Sequence, residues 1–367
     1  MSALKPLNTN SLCYNHIVGT GGIGAGIVFS LDGNHTLGRN ESRLGELEPF
    51  RDYCKQHIIM HYIAILLNAS NKAVFQSFPI GKVGNDIEGK RLKEMMSEAG
   101  MNTKFVAVCS DSPTLFSVCF QYSDRSGGNI TSSNSASNLV NEEDINLFFG
   151  DYQLDGKKGI VLAAPEVPVE TRIKLLQKGK EFGMFNVGSV LSSEIASFEK
   201  QNGFKMTDLL AINIDEAQRI AGIEDKNSES ADIVEKCISK LKKMNPQMIV
   251  LITNGANGCY CSKDNQLEFT PALKTEVVST AGAGDAFLAG TIAGICCRLP
   301  LFKGYSNTEI NQSPLQTAIE LGTALASLSV TSADTIHEGA DAASVYKHIQ
   351  QAGLTMSENF KNLFANN

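Results

Sequence analysis

The chain reads as an α/β protein with a central, mostly parallel sheet flanked by helices, and three observations lead there. Between residues 159 and 252, short apolar runs rich in β-branched residues (159–163, 184–187, 209–212, 248–252) alternate with helical patterns such as 169–181. That alternation is the mark of βαβ units and hence of a parallel sheet. From Ala286 onward a helix is apolar on every side, with Phe287, Leu288, Ile292 and Ile295 set among Ala289, Gly290, Ala293 and Gly294. A helix without a polar face is buried, and its small residues let neighbouring backbone come close. Finally, 106–109 and 115–122 alternate around Asp111-Ser112-Pro113, which predicts a hairpin beside the main sheet.

Composition narrows the function classes. With 367 residues, 43% of them hydrophobic, the chain can bury a full core as one large domain or two. A net charge of −7 argues against nucleic acid or an anionic membrane as the main partner. No apolar run reaches membrane-spanning length, and MSALKPLNTN has no apolar core of a secretory signal. The nine cysteines are scattered without a CxxC pair, so no zinc or redox motif is expected and a reducing cytoplasm is the expected home.

In chain order, His16-Ile17-Val18 reads as a first strand running into Gly19-Thr20-Gly21-Gly22-Ile23-Gly24. That run matches GxGxxG, but a dinucleotide turn must open a long helix, and here Asp32-Gly33-Asn34 signals a turn after only a few residues. The glycines are better explained by bulges or close backbone approach in a strand that enters a hairpin. The segment 55–62 becomes helical through 63–67. His57 and His61 are four apart, as zinc ligands can be, but without a third ligand nearby they read as ordinary helix residues. A strand over 73–78 leads through a turn at 79–86 into an amphipathic helix that carries Leu92, Met95 and Met96 and stops at Gly100. Residues 126–137 read as a mobile Ser/Asn/Gly loop, and the polar tail from Gln350 as frayed.

Three strand ends carry the chemistry. Asn213 follows the strand 209–212 and is placed to cap the helix bearing Ala217 and Ile220. After the strand 248–252 comes Thr253-Asn254-Gly255-Ala256-Asn257-Gly258, by itself a hairpin turn. Glu276-Val277-Val278 reads as a strand end before Ala281-Gly282-Ala283-Gly284-Asp285. Free N–H groups at the start of a buried helix hold an anion. A carboxylate beside that anion does not bind it, but can take a proton from a hydroxyl attacking it. The other reading of the same residues is a glycine turn capped by an aspartate.

The stretch TAGAGDAFLAGTIAG resembles the C-terminal signature of the ribokinase family, the PfkB carbohydrate kinases, with Ser279 where the family usually has Asp. The resemblance implies a ribokinase-like three-layer fold with a small β lid. It makes Gly282, Ala283 and Gly284 the anion hole and Asp285 the catalytic base. Asn213 and Glu216 match the Asn-x-x-Glu motif that organises Mg2+ through water, which suits an ion that keeps most of its waters. Thr253, Gly255 and Gly258 match a turn that approaches the nucleotide. The helix 316–329 and the loop 331–342 would enclose the adenine. Residues 81–86 are similar to the family's Gly-x-Val-Gly-x-Asp segment. The chain departs from the family near its start: the early Asp and the Gly-Gly-x-x-x-Asn sugar motif are not recognisable, and 55–62 stands in their place. Near 184–189 the Asn is kept and the Arg is lost.

The expectation is one domain over 1–367 with a lid from about 24–50 and 105–123. It is an ATP-dependent, Mg2+-requiring kinase that transfers a phosphoryl group to a hydroxyl of a sugar, sugar derivative or nucleoside. Activation by a monovalent cation and a homodimer formed through an exposed lid edge are left open, and the acceptor-binding residues are unknown. The alternative is a catalytically silent nucleotide- or metabolite-binding homologue of the same fold.

Overall fold

A computed structural model describes residues 2–7, 11–124, 126–225, 227–303 and 313–364. Two sheets organise it. The large one has nine strands. In chain order they are β1 (His16–Thr20), β4 (Gln76–Gly84), β5 (Val106–Cys109), β8 (Gly159–Ala163), β9 (Phe185–Ser189), β10 (Leu209–Asn213), β11 (Ile249–Thr253), β12 (Cys259–Lys263) and β13 (Gln266–Thr270). Their spatial order is β13-β12-β11-β10-β9-β8-β1-β4-β5. All neighbours from β5 to β11 pair parallel, while β12 and β13 return antiparallel. The small sheet has the order β3-β2-β6-β7, built from β2 (Gly24–Leu31), β3 (Gly45–Tyr53), β6 (Leu115–Gln121) and β7 (Gly127–Thr131).

Helices cover both faces of the large sheet, as parallel strands buried on both sides require. One face carries α1 (Lys55–Leu66), α9 (Ala283–Cys296), α10 (Ala318–Ser329) and α11 (Ala342–Gln351) in a core with Ile17, Ile160 and Leu251. The other carries α3 (Glu142–Gly150), α4 (Val169–Phe182), α7 (Ile214–Ala221) and α8 (Ser230–Met244) around Val18, Val161 and Val250. The alternation along each strand sends neighbouring side chains to opposite cores. α9 is buried on nearly every side. Its small residues serve close packing: a Cβ on Gly290 would stand 2.8 Å from Gly322 Cα of α10.

Several local expectations are corrected. The hairpin between 106–109 and 115–122 does not form: β5 adds parallel to β4 at the edge of the large sheet, and β6 pairs with β2 in the small one. Alternation fixes a strand's faces but not its partner. Part of the stretch expected to be a loop is strand β7, antiparallel to β6. The turn at 79–86 is strand as far as Gly84, after which Asp86 caps α2 (Ile87–Glu98) by accepting from Gly89 N–H at 2.7 Å. Glu276-Val277-Val278 forms no strand; the N–H groups of Val278 and Ser279 both donate to Val330 O. The tail is packed rather than frayed: in α12 (Glu358–Asn362) and after it, Phe360, Leu363 and Phe364 are buried. No helix among the described residues is long and apolar enough to cross a membrane.

Candidate active site

Two of the predicted site residues lie at the carboxyl ends of parallel strands, where open α/β sheets bind ligands. Asn213 and Thr253 end β10 and β11 and are register partners. Asn213 and Glu216 close a reciprocal cap on α7: Glu216 N–H donates to Asn213 Oδ1 at 2.8 Å, and Asn213 N–H donates to Glu216 Oε2 at 2.9 Å. The cap holds the Glu216 carboxylate in place and leaves its Oε1 without a protein partner among the described residues. Burial pushes the Glu216 carboxyl up, opposed by the Lys55 ammonium. Thr253 Oγ1 reaches Ile212 O at 3.5 Å. Gly255 has positive φ and open space around it. Gly258 packs against Thr270 and Pro271 backbone, where a Cβ would lie 2.8 Å from Pro271 Cα; the fold alone accounts for that glycine.

The turn before α9 is shaped by its N-cap, Gly282, whose φ of 75° favours glycine. A Cβ there would also stand 2.8 Å from Thr335 O. Thr335 is tied in turn to the small sheet and to α1: its Oγ1 accepts from Tyr53 N–H and its carbonyl from Tyr62 Oη. Gly284 is exposed, and its N–H has no protein acceptor among the described residues. Ala283 N–H donates to Thr280 O at 3.3 Å and Asp285 N–H to Gly282 O at 3.0 Å, so the first turn of α9 offers the Gly284 amide with the positive end of the helix dipole behind it.

Asp285 sits on that first turn, its side chain 12% exposed, with Lys55 Nζ 3.7 Å from its Oδ1. Burial pushes its carboxyl up, the Lys55 ammonium opposes this, and Asp52 pushes it up again. Lys55 is held above its usual range chiefly by Asp285. Lys55 is the first residue of α1, where a cation opposes the helix dipole, so helix stability does not explain it.

Two further carboxylates face the same centre. Glu166, just past β8, adopts φ 74°, a conformation that strains any residue with a Cβ. Its Oε2 is buried without a partner. Burial is the main cause that pushes its carboxyl up to about 7. Gly22 makes room for it, since a Cβ there would stand 2.8 Å from Glu166 Oε2; close approach thus explains part of the early glycine run. Asp52, on β3, accepts from Tyr53 N–H at 3.0 Å and from Cys119 Sγ at 3.6 Å.

Sequence reasoning missed Asp52 and Glu166, and reached Lys55 only as part of the segment 55–62. The one available signal for Glu166 was its position just beyond a strand's carboxyl end. Asp52 and Lys55 gave none, because their meeting with Asp285 is made by tertiary structure. His57 and His61 lie on α1 with ring centroids 5.9 Å apart.

The family model for the pfkB family carbohydrate kinases matches residues 66–342. The chain belongs to this family. Membership makes it a phosphotransferase with an alcohol group as acceptor. A ribokinase from Dictyostelium discoideum is 26% identical over 267 residues, which is 69% of this chain and 77% of that enzyme. Ribokinase from Arabidopsis thaliana, solved with ribose and ATP, superposes with a TM-score of 0.63 at 19% identity, over 92% of this chain and 99% of that one. A protein of E. coli assigned as a ribokinase II, solved with ATP and Mg2+, gives 0.65 at 16% identity over 92% and 99%. The ribokinase-like fold therefore holds along the chain, while the pfkB match begins only at residue 66, after β2, β3 and nearly all of α1.

Proposed function

We propose that the protein transfers the γ-phosphoryl group of ATP to a hydroxyl of a sugar, a sugar derivative or a nucleoside. The observation that carries this reading is Asp285 at the head of α9, its carboxylate 3.7 Å from Lys55 Nζ, beside the open amide of Gly284. Asp285 takes the acceptor's O–H proton as the new O–P bond forms and the bond to the leaving ADP oxygen breaks. The amides of Gly282, Ala283 and Gly284 hold the transferring group: that of Gly284 is already open, and that of Ala283 exchanges its bond to Thr280 O, 3.3 Å long, for the phosphoryl oxygen. Lys55 favours the ionised form of Asp285 against the upward push of burial. Thr253 and Gly255 line the nucleotide side, and Gly258 shapes the turn behind them.

Glu216 offers a hard oxygen donor, Oε1, on a rigid cap, and this suits an ion held through its waters. With Asn213 it would hold Mg2+, which neutralises phosphate charge. At the monovalent-cation position Ser279 has a neutral hydroxyl that already accepts from Ala281 N–H at 3.3 Å; a potassium titration of turnover tests that site. The small sheet serves as the lid, and its exposed edge residues, Leu47 at 59% and Ile130 at 70%, support a homodimer formed through it, to be checked by light scattering. A cytoplasmic home fits nine free cysteines.

The test is ADP release from MgATP over a panel of sugars and nucleosides. Asp285→Asn should cut turnover by roughly 10³ while ATP binding persists; near-normal turnover would sink the assignment. The silent-homologue reading draws on the acceptor side falling outside the family match. ATP binding with no ADP release on any acceptor would favour it.

A further inference from the structure

We propose that the acceptor pocket excludes anionic substrates and takes an uncharged or cationic, donor-rich hydroxyl compound, with Asp52 as the residue that sets this selectivity. The inference rests on the kinase reading above and deepens it. Three carboxylates, Asp52, Glu166 and Asp285, are brought to one centre by β3, the end of β8 and the start of α9. Asp285 and Asp52 both push the Glu166 carboxyl up, and Asp52 pushes that of Asp285 up. The cation among them is Lys55, already paired with Asp285. The next one toward Glu166 is Arg172, fully buried and engaged by Glu194 at 2.7 Å and by Ser189 O.

The hydrogen-bonding chemistry points the same way. An ionised carboxylate only accepts. Glu166 Oε2 is buried and unpartnered, the Cys54 thiol bonding that carboxyl, and Asp52 Oδ2 has only the Cys119 thiol, 3.6 Å away; thiols are weak donors. A polyol or an ammonium group brings the missing donors. Esterification replaces one of those hydroxyl donors with a phosphate group that, fully ionised, only accepts, and it adds charge of the same sign where low dielectric magnifies it. The amides at the head of α9 do not relieve this, because they are taken by the transferring phosphoryl group. Asp52 stands on the small sheet, outside the helix that carries Asp285, so its substitution leaves the base itself in place.

The test is calorimetric binding in the presence of Mg2+ and a saturating non-hydrolysable ATP analogue. Each parent is compared with its ester: ribose with ribose 5-phosphate, fructose with fructose 1-phosphate, glucosamine with glucosamine 6-phosphate, uridine with uridine monophosphate. At least one parent should bind about tenfold or more tighter than its ester, and Asp52→Asn should narrow that ratio by about tenfold. Asp52→Ser, checked for fold by circular dichroism, serves as the second variant. An ester that binds as tightly as its parent overturns the proposal. So does an unchanged ratio in both variants, or no binding by any uncharged or cationic member. The kinase reading fails separately: the binding preference would persist while no bound parent is phosphorylated.

Discussion

On one side of the candidate site, Asn213 and Thr253 stand at the ends of strands and the run Gly282 to Asp285 at the head of a helix. Their chemistry is mostly backbone amide plus one local side chain. On the other side, Asp52, Lys55 and Glu166 come from β3, α1 and the end of β8, and they meet only because two sheets and a helix pack together. The first side falls inside the segment matched by the pfkB family, residues 66–342; Asp52 and Lys55 fall outside it. Backbone sites need short motifs with fixed geometry, so they persist as readable strings. Side-chain sites need only that a carboxylate or ammonium arrive at one point, and many sequences can deliver that.

The largest expected effect tests the first side: Asp285→Asn, with its loss of roughly 10³ in turnover. The next tests the link between the sides. Lys55→Met should lower turnover by about 10² and move the acid limb of the pH–rate profile to higher pH. The sign follows from charge: the ammonium favours ionised Asp285, so its removal raises that carboxyl further. Asp52→Asn should move the same limb to lower pH, since Asp52 pushes Asp285 up. Limbs that fail to move in opposite directions would show that the two sides are not electrostatically joined.

How much was legible follows the same division. The parallel sheet was visible in strands such as 159–163 and 209–212, whose continuous apolar runs need cover on both faces. α9 was visible because a helix with no polar face has only one place to go. Partner choice was not visible: 106–109 and 115–121 have the pattern of a hairpin, yet join different sheets, because a four-residue strand carries too little side-chain information to fix its neighbour. The positive φ of Glu166 was invisible for a related reason, since nothing in its residue type favours that conformation and the surrounding packing imposes it. At Gly282 residue type and conformation agree. Gly282→Ala should cost about 1–3 kcal/mol by urea denaturation, from the left-handed backbone and the contact with Thr335 O. An unchanged midpoint would mean that the turn before α9 yields more easily than its geometry implies.

The smallest effect concerns the helix that delivers Lys55. His57 follows Lys55 by two residues and is wholly buried, with both ring nitrogens lacking partners among the described residues and its ring edge-on to Tyr53 at 5.4 Å. Burial is the main cause that holds it well below its usual range, helped by His61 and Arg91. The folded state thus keeps His57 neutral where the unfolded chain takes a proton. The stability this imidazole leaves intact above pH 6.5 is lost as pH falls below that value, because protons then bind preferentially to the unfolded chain. His57→Leu removes that proton uptake along with two desolvated nitrogens, and loses the contact with Tyr53. Near pH 7.5 the two proteins should unfold at similar urea concentrations. At pH 5 the variant should be more stable by about 2 kcal/mol. A wild-type midpoint that falls no faster than the variant's between those values would mean that His57 is solvated or paired, and that the core beneath the acceptor side is looser than the packing of α1 against α9 implies.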